Sequence, residues 1–481
     1  QAGGEGDAPG PRLPGRLGRQ PGRQGQQGRV REVRGPLPGR GEGVGQPEPD
    51  VHAKQSPVVP LGVLYVAAAL RPQHQVSVLD LCFEKDEAAA ITAAISRHRP
   101  DLIGIGIRNL HDNAYRADDE ILAYYERLVA AVRQNSSSPI VLGGAGFSLR
   151  PHDLMRRLQA DFGVVGAGED CVPYLVSELA AGRQPAPLLD ARMLFPVPPP
   201  TLYTLDRLPL PDRRFVDPRY YELDGTDNIQ TKRGCSFRCA YCDYPDLEGQ
   251  RLQLRSPDAV ADEVLQRAQA PDVSFLFFVD SVFNVPQKHA LAICEALIDR
   301  GSPIPWVAYV SPVQLDRELV SAMAKAGCVG VEIGSDTGTE DGLHRLRKPF
   351  KLTDIQRSHE LLRSYGIHDC HTFVVGAFGE TADQVKQTLD FVAQLDPDVA
   401  VFIVFHEDRE ALIPHAATHR QAILALLAKE AALHPGWVVP ELNLRLSSKL
   451  LQFLRTHKLR GPSWLHLARL RAPGAQLRPS A

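Results

Sequence analysis

Three cysteines stand together in the stretch Thr231-Lys232-Arg233-Gly234-Cys235-Ser236-Phe237-Arg238-Cys239-Ala240-Tyr241-Cys242. The spacing C-x3-C-x2-C puts three thiolates on one tight loop, enough to hold three irons of a cubane iron–sulfur cluster. The fourth iron then lacks a protein ligand and is open to a small molecule. Such a cluster is a reaction centre rather than a plain electron carrier, and the missing fourth cysteine is the physical sign of it. A structural zinc site normally uses four ligands, commonly two pairs. The next candidates along the chain are His289 and Cys294, too distant for a zinc motif, so iron is the better reading.

A short apolar–polar run, Asn228 to Lys232, leads into this loop and reads as a strand ending in a glycine turn. Beyond it the pattern alternates strand and helix. Strands are expected at Ser274 to Val279, Trp306 to Tyr309, Val329 to Ile333, His371 to Val375 and Val399 to Val404, with amphipathic helices between them. Six parallel strands with outer helices make a partial (β/α)6 barrel, whose site lies at the strands' carboxyl mouth. A second alternating region precedes it. Strands at Val76 to Asp80, Asp101 to Ile107, Ile140 to Gly144 and Phe162 to Val165 are separated by helical stretches. That order argues for an open, doubly wound parallel sheet, with ligands beyond the strands' carboxyl ends. The loops there are Arg108 to Asn113, Gly143 to Gly146 and Gly166 to Glu169.

Composition narrows the class. The chain has 481 residues, with 54 basic against 57 acidic and a formal charge of −3, so no bulk attraction to nucleic acid is expected. Eight cysteines are scattered apart from the one cluster, and a thiolate-held cluster needs a reducing compartment. There is no apolar run long enough to span a membrane and no signal-peptide pattern, so a cytoplasmic protein without membrane association is expected. Residues 1–55 are rich in Gly, Pro, Arg and Gln and read as disordered, since they cannot bury enough apolar surface to order themselves.

The cysteine motif, with Tyr241 at its aromatic position, resembles the C-x3-C-x-aromatic-C signature of the radical S-adenosylmethionine (radical SAM) superfamily. The resemblance implies a [4Fe–4S] cluster on Cys235, Cys239 and Cys242 whose open iron chelates SAM, and reductive cleavage of the sulfonium C–S bond. Three later segments resemble further motifs of cobalamin-type members. Phe277 to Asn284 is similar to their F-x-D-D-x-F-N run, with Asp280 as acceptor for the SAM amino group. Gly330 to Gly338 is similar to G-V-E-x-G-x-E-S-G, which implicates Glu332 and Asp336, followed by Arg345 and Lys348 as cations for the SAM carboxylate. Phe373 to Thr381 resembles G-x-P-G-E-T, with Gly376 and Glu380 beside the adenine and Phe378 in place of proline.

Upstream, Pro60 to Leu70 and Val141 to Gly144 resemble the cobalamin-binding domain that precedes many radical SAM domains. The resemblance implies cobalamin contacts from Asn109, Gly143, Gly144, Gly166 and Glu169. No D-x-H-x-x-G signature is present, so binding without a histidine axial ligand is expected, and His111 reads as a surface or tail contact. In that family an apolar first strand precedes the Pro-Leu-Gly helix; here Arg29 to Val33 is the best substitute and is too polar for a central strand, so the first strand is expected to be missing. The expected organisation is a disordered segment 1–55, a cobalamin-binding-like domain 56–185, a Pro-rich linker 186–226, a radical SAM domain 227–405 and a helical extension 406–481. His406 and Glu407 lie in a loop read as solvated charge.

The function implied by the resemblance is cobalamin-dependent methyl transfer to an unactivated carbon of a small molecule, with a reducing partner such as flavodoxin or ferredoxin. Oxidation, cyclisation or rearrangement is the alternative within the class. A fragment that binds cluster and SAM without turnover is the alternative outside it.

Overall fold

The run Leu102–Gly106 is buried at every position, the pattern of a strand covered on both faces by helices. In the computed structural model, which describes residues 29–34, 58–110, 118–196, 203–302, 304–405, 416–442, 452–454 and 456–471, this run is β3 of a six-stranded parallel sheet. The strands are β1 (Arg29–Arg34), β2 (Gln75–Asp80), β3 (Leu102–Gly106), β4 (Ile140–Gly143), β5 (Phe162–Val165) and β6 (Leu188–Asp190), in the order β2-β1-β3-β4-β5-β6. Helices cover both faces. One core gathers Ile103, Ile105, Leu142 and Phe147; the other gathers Leu102, Val141, Val164 and Leu175.

Two expectations change here. The first strand is not missing: β1 pairs in parallel with β2 on one side and β3 on the other, Val30 opposite both Val76 and Leu102. Without it two internal ladders would face an empty slot with unpaired N–H and C=O groups, a larger cost than placing polar side chains in that position. Residues 29–34 are therefore a strand within the span read as disordered. The sheet also extends past residue 185, because β6 pairs with β5 inside the region read as linker.

The second sheet contains β7 (Thr226–Ile229), β10 (Phe275–Phe278), β11 (Trp306–Val310), β12 (Cys328–Asp336), β13 (His368–Val375), β14 (Val399–Val404) and β15 (Trp437–Val438), all parallel. Its order, β15-β14-β13-β12-β11-β10-β7, is that of an open barrel with right-handed crossover helices. The short β15, beyond the expected six strands, lies in the stretch read as helical extension. β8 (Lys232–Arg233) and β9 (Gln253–Leu254) form a separate antiparallel pair around the cysteine loop, so the run Asn228 to Lys232 is divided between two sheets. Helix starts follow local chemistry: Ser256, Asp316 and Thr381 each accept a backbone N–H as N-caps.

Side chains alternate along these strands. Ile229, Leu276, Phe278, Trp306, Ala308, Val331 and Ile333 face the outer helices in one large core. The lumen is closed at the strands' amino ends by the helix Ser463–Arg471, which inserts Leu465 against Phe275 and Val307, and Ala468 against Cys370 and Val399. The connection between the sheets is docked rather than loose. Asp212 takes an ion pair from Arg71, and Arg213 is buried against Asp227 and Glu263. Among the described residues no helix is long and apolar enough to cross a membrane.

Candidate active site

The cysteine loop turns a sharp corner at Gly234, where φ is +90° and an added Cβ would lie 2.5 Å from the Arg251 carbonyl oxygen. Only glycine passes there. The Cys235 N–H donates to Gly249 O at 3.1 Å, and the Gly234 N–H to the Glu248 carboxylate at 3.1 Å. Ala240 N–H reaches Leu346 O at 3.0 Å, tying the loop to the end of the helix Glu340–Arg345 that follows β12. None of the three thiols is in a disulfide. They sit within electrostatic reach of one another: burial raises the pKa of Cys239 and Cys242, and the neighbouring thiols push the same way, while Lys348 opposes them. Three unpaired thiols converging on one loop fit a cluster held at three corners.

Asp280, at the end of β10, holds this loop from behind. Its carboxylate accepts Thr231 N–H at 2.7 Å, Lys232 N–H at 3.1 Å and the Thr231 hydroxyl. Its lone pairs are thus shared with the strand that leads into the cysteine loop, the opposite side from a SAM amino group it was expected to accept. Lys232 went unnoticed in the motif. It is fully buried and donates to the carbonyls of Val282, Phe283 and Val285, with Asp280 3.9 Å away. Burial lowers its pKa to about 8 despite the nearby carboxylate. Asn284 continues the frame, bonding the backbone of Ser311 and Val313 at the end of β11. The only sequence signal for Lys232 was a cation inside a strand otherwise headed for burial.

Asp336 lies in front of the loop. The pairing of β12 with β13 shifts register between Gly334 and Asp336, and Asp336 has φ +64°, a bulge that re-aims its side chain. The carboxylate takes the Tyr241 hydroxyl at 2.8 Å and Lys348 Nζ at 2.5 Å. Burial works against the Lys348 charge, but Asp336 and Cys239 outweigh it and its pKa is raised. Tyr241, Asp336 and Lys348 are thus one network touching the cluster loop. Tyr241 also joins Leu346, Val374, Ala377 and Phe405 in an apolar slot at the ends of β13 and β14, and the exposed Phe378 packs on Phe405.

The other expected SAM residues have these protein partners. Arg345 bonds Gln384 and pairs with Asp341. Glu380 accepts the Gly376 N–H at 2.6 Å and so closes the turn after β13; burial raises its pKa. Glu332 sits low in the lumen and accepts Trp464 Nε1–H from the C-terminal helix at 2.9 Å. Each of these three makes a protein contact, because side chains alternate or turn within motifs that look continuous in sequence.

In the first sheet, Asn109, Gly143, Gly144 and Gly166 all lie at the strands' carboxyl edge. Gly144 has φ +101° and passes so close to Ile107 that an added Cβ would fall 2.5 Å from its carbonyl oxygen. Ser148 bridges the loops after β4 and β5, donating to Gly144 O and accepting Gly166 N–H. This edge faces the cysteine loop: the helix Ala145–Leu149 meets the helix Tyr244–Glu248, and Arg192 donates to Asp246 O at 3.0 Å. The open glycine edge suits a large flat group placed between the two sheets. Glu169 departs from this set. It is buried in an ion pair with Arg233 at 2.5 Å, and the Arg233 guanidinium lies over the Tyr65 ring. From the first turn of the helix after β5 it ties the first sheet to the strand before Cys235. His111, His406 and Glu407 lie outside the described residues.

Comparison with known proteins places these features in a common setting. Residues 229–392 match the family model described as the radical SAM superfamily, and residues 51–176 match that of the B12 binding domain. An uncharacterized methyltransferase of Pyrococcus horikoshii is 25% identical over 72% of this chain and 75% of its own length. The tryptophan 2-C-methyltransferase of Streptomyces laurentii is 27% identical over 72% of this chain and 69% of its own. The fold is shared with a solved structure of the radical S-adenosylmethionine methyltransferase TsrM from Kitasatospora setae with tryptophan substrate and a SAM analog bound. There the TM-score is 0.73 at 21% identity, covering 92% of this chain and 98% of that one.

Proposed function

We propose, from the premise that this chain belongs to the radical SAM superfamily and carries its B12-binding domain, that it is a cobalamin-dependent methyltransferase. It would act on an unactivated carbon of a small molecule. The observation that carries this reading is the placement of the three-cysteine loop against the carboxyl edge of the first sheet. When bound, the cluster supplies the electron that breaks the SAM sulfonium bond, and cobalamin carries the methyl group.

The chain's own residues supply position and exclusion. Cys235, Cys239 and Cys242 would hold the cluster, with Asp280 and Lys232 fixing the loop that bears them. Tyr241, Asp336 and Lys348 would face the polar end of SAM, and the slot of Leu346, Val374, Ala377 and Phe405 its adenine. Asn109, Gly143, Gly144 and Gly166 would border cobalamin. A one-electron donor of the flavodoxin or ferredoxin kind would complete the system. The names of two relatives support methyl transfer, and one of them names tryptophan; a third relative, 24% identical over 72% of this chain, is named as a cyclase, which keeps that chemistry as the second reading.

Anaerobic reconstitution tests the reading. The expected result is cubane-level iron, retained corrinoid and methylated product with SAM and a reductant. Cys239→Ala should abolish both iron retention and SAM cleavage. Zinc in place of iron, or a purified chain that binds no corrinoid, would overturn it. Accumulation of 5′-deoxyadenosine with no methyl transfer to any acceptor would favour cyclase or oxidase chemistry instead.

A further inference from the structure

Inner strand positions of a filled barrel are buried, yet Tyr309, at such a position on the internal strand β11, is 41% exposed. Its ring lies 4.9 Å from that of Phe277 on β10, and in the ladder it stands opposite Glu332, which in turn stands opposite Cys370. One carboxyl-ward step along the lumen the paired residues are Gly334 and Thr372. The open space therefore has two aromatic rings on one wall and small side chains on the other, the shape of a slot for a flat ring. From Glu332 up to Asp336 at the cluster loop is four residues, roughly 13 Å at strand rise. A one- or two-ring molecule can stand between the floor and the reacting groups.

The floor is polar. Glu332 spends Oε1 on Trp464, and Oε2 makes no hydrogen bond among the described residues. The Tyr309 hydroxyl makes none there either. Tyr309 feels the Glu332 charge, then burial, then Tyr244 of the cysteine loop, Cys370 and Arg108 after β3, which places its phenol in the space that both domains border. Glu332 is half-buried, so an acceptor left without a protein partner in this confined space gains a hydrogen bond from a ligand donor on binding.

We infer that Phe277, Tyr309 and Glu332 form the substrate-recognition floor of the barrel, and that they select a flat aromatic molecule with a ring N–H donated to Glu332. The inference deepens the proposed function and rests on the lumen being the substrate chamber. It differs from the earlier expectation for Glu332, which placed it on SAM.

The test uses the anaerobically reconstituted full chain and two isosteric probes, indole and benzofuran, which differ in the ring N–H. Equilibrium dialysis should show indole bound about tenfold more tightly, the effect of one net hydrogen bond. Glu332→Met should bring the ratio to about one, and Glu332→Gln, which keeps an acceptor, should restore most of it. Equal binding of the two probes to the unaltered chain, or a ratio unmoved by Glu332→Met, overturns the inference. Should Glu332→Met fail to fold, Tyr309→Phe decides: a ratio cut about threefold supports the shared floor, and an unchanged one overturns it. Iron content and SAM cleavage on the same samples report separately on the methyltransferase reading. An intact probe ratio without methyl transfer leaves the floor standing while that reading falls.

Discussion

Asp280 offers the sharpest separation between anchoring the cluster loop and contacting SAM. In the structure its two oxygens receive the Thr231 and Lys232 N–H groups and the Thr231 hydroxyl, with the buried Lys232 ammonium 3.9 Å away. Replacement by alanine removes every acceptor at once and strands a buried cation, for which the cost is about 3–5 kcal/mol. That is a large part of a typical domain's stability, so Asp280→Ala should express poorly and lose iron. Asp280→Asn is the informative change. Its carbonyl oxygen still accepts both N–H groups and its amide still meets the Thr231 hydroxyl, while the charge opposite Lys232 is lost. The expected cost is about 1–3 kcal/mol, with the Lys232 proton lost more readily than at its present pKa of about 8. Anaerobic denaturant unfolding gives the stability, and equilibrium dialysis of SAM on the cluster-loaded protein gives the affinity. A loop anchor predicts a lower unfolding midpoint and a SAM Kd within about threefold of the unaltered chain. Unchanged stability with a SAM Kd raised tenfold or more would mean that the carboxylate binds SAM directly, and the reasoning from its hydrogen bonds would be wrong.

Other changes probe the frame around the site. Glu169→Ala leaves Arg233 buried without its partner and should cost about 3–5 kcal/mol, read as faster proteolysis between the two sheets. Gly144→Ala forces a Cβ within 2.5 Å of Ile107 O at φ +101°, so corrinoid retention should fall while iron content stays near normal. Glu332 is held above its ordinary 4.5, at about 7, chiefly by burial, with the Trp464 bond opposing. A carboxyl with a raised folded pKa binds more protons folded than unfolded, so stability should fall as pH rises from about 4.5 to 7 and then level off. The expected drop is on the order of 1–3 kcal/mol, and Glu332→Gln should remove it when unfolding is compared at pH 5 and pH 8.

The residues of this chain determined its chemistry before any fold was known. Three thiols at that spacing can do little except hold a metal cluster, and the alternation of apolar strands with amphipathic helices admits few architectures beyond parallel sheets with crossover helices. The motif segments also lie where they were expected, at the ends of β10, β12 and β13. What local sequence left undecided was the direction of each side chain within a motif. Asp280 and Glu332 occupy motif positions as plausible as Asp336, yet one faces back into Thr231 and Lys232 and the other down to Trp464, more than a hundred residues away in the chain. A two-residue period, a bulge at Asp336 and a helix arriving from the far end of the chain settle those directions. β1 shows the same limit from the other side. Its polar sequence argues against a central strand, and only the unpaired backbone of β2 and β3, a property of the assembled sheet, draws it into place.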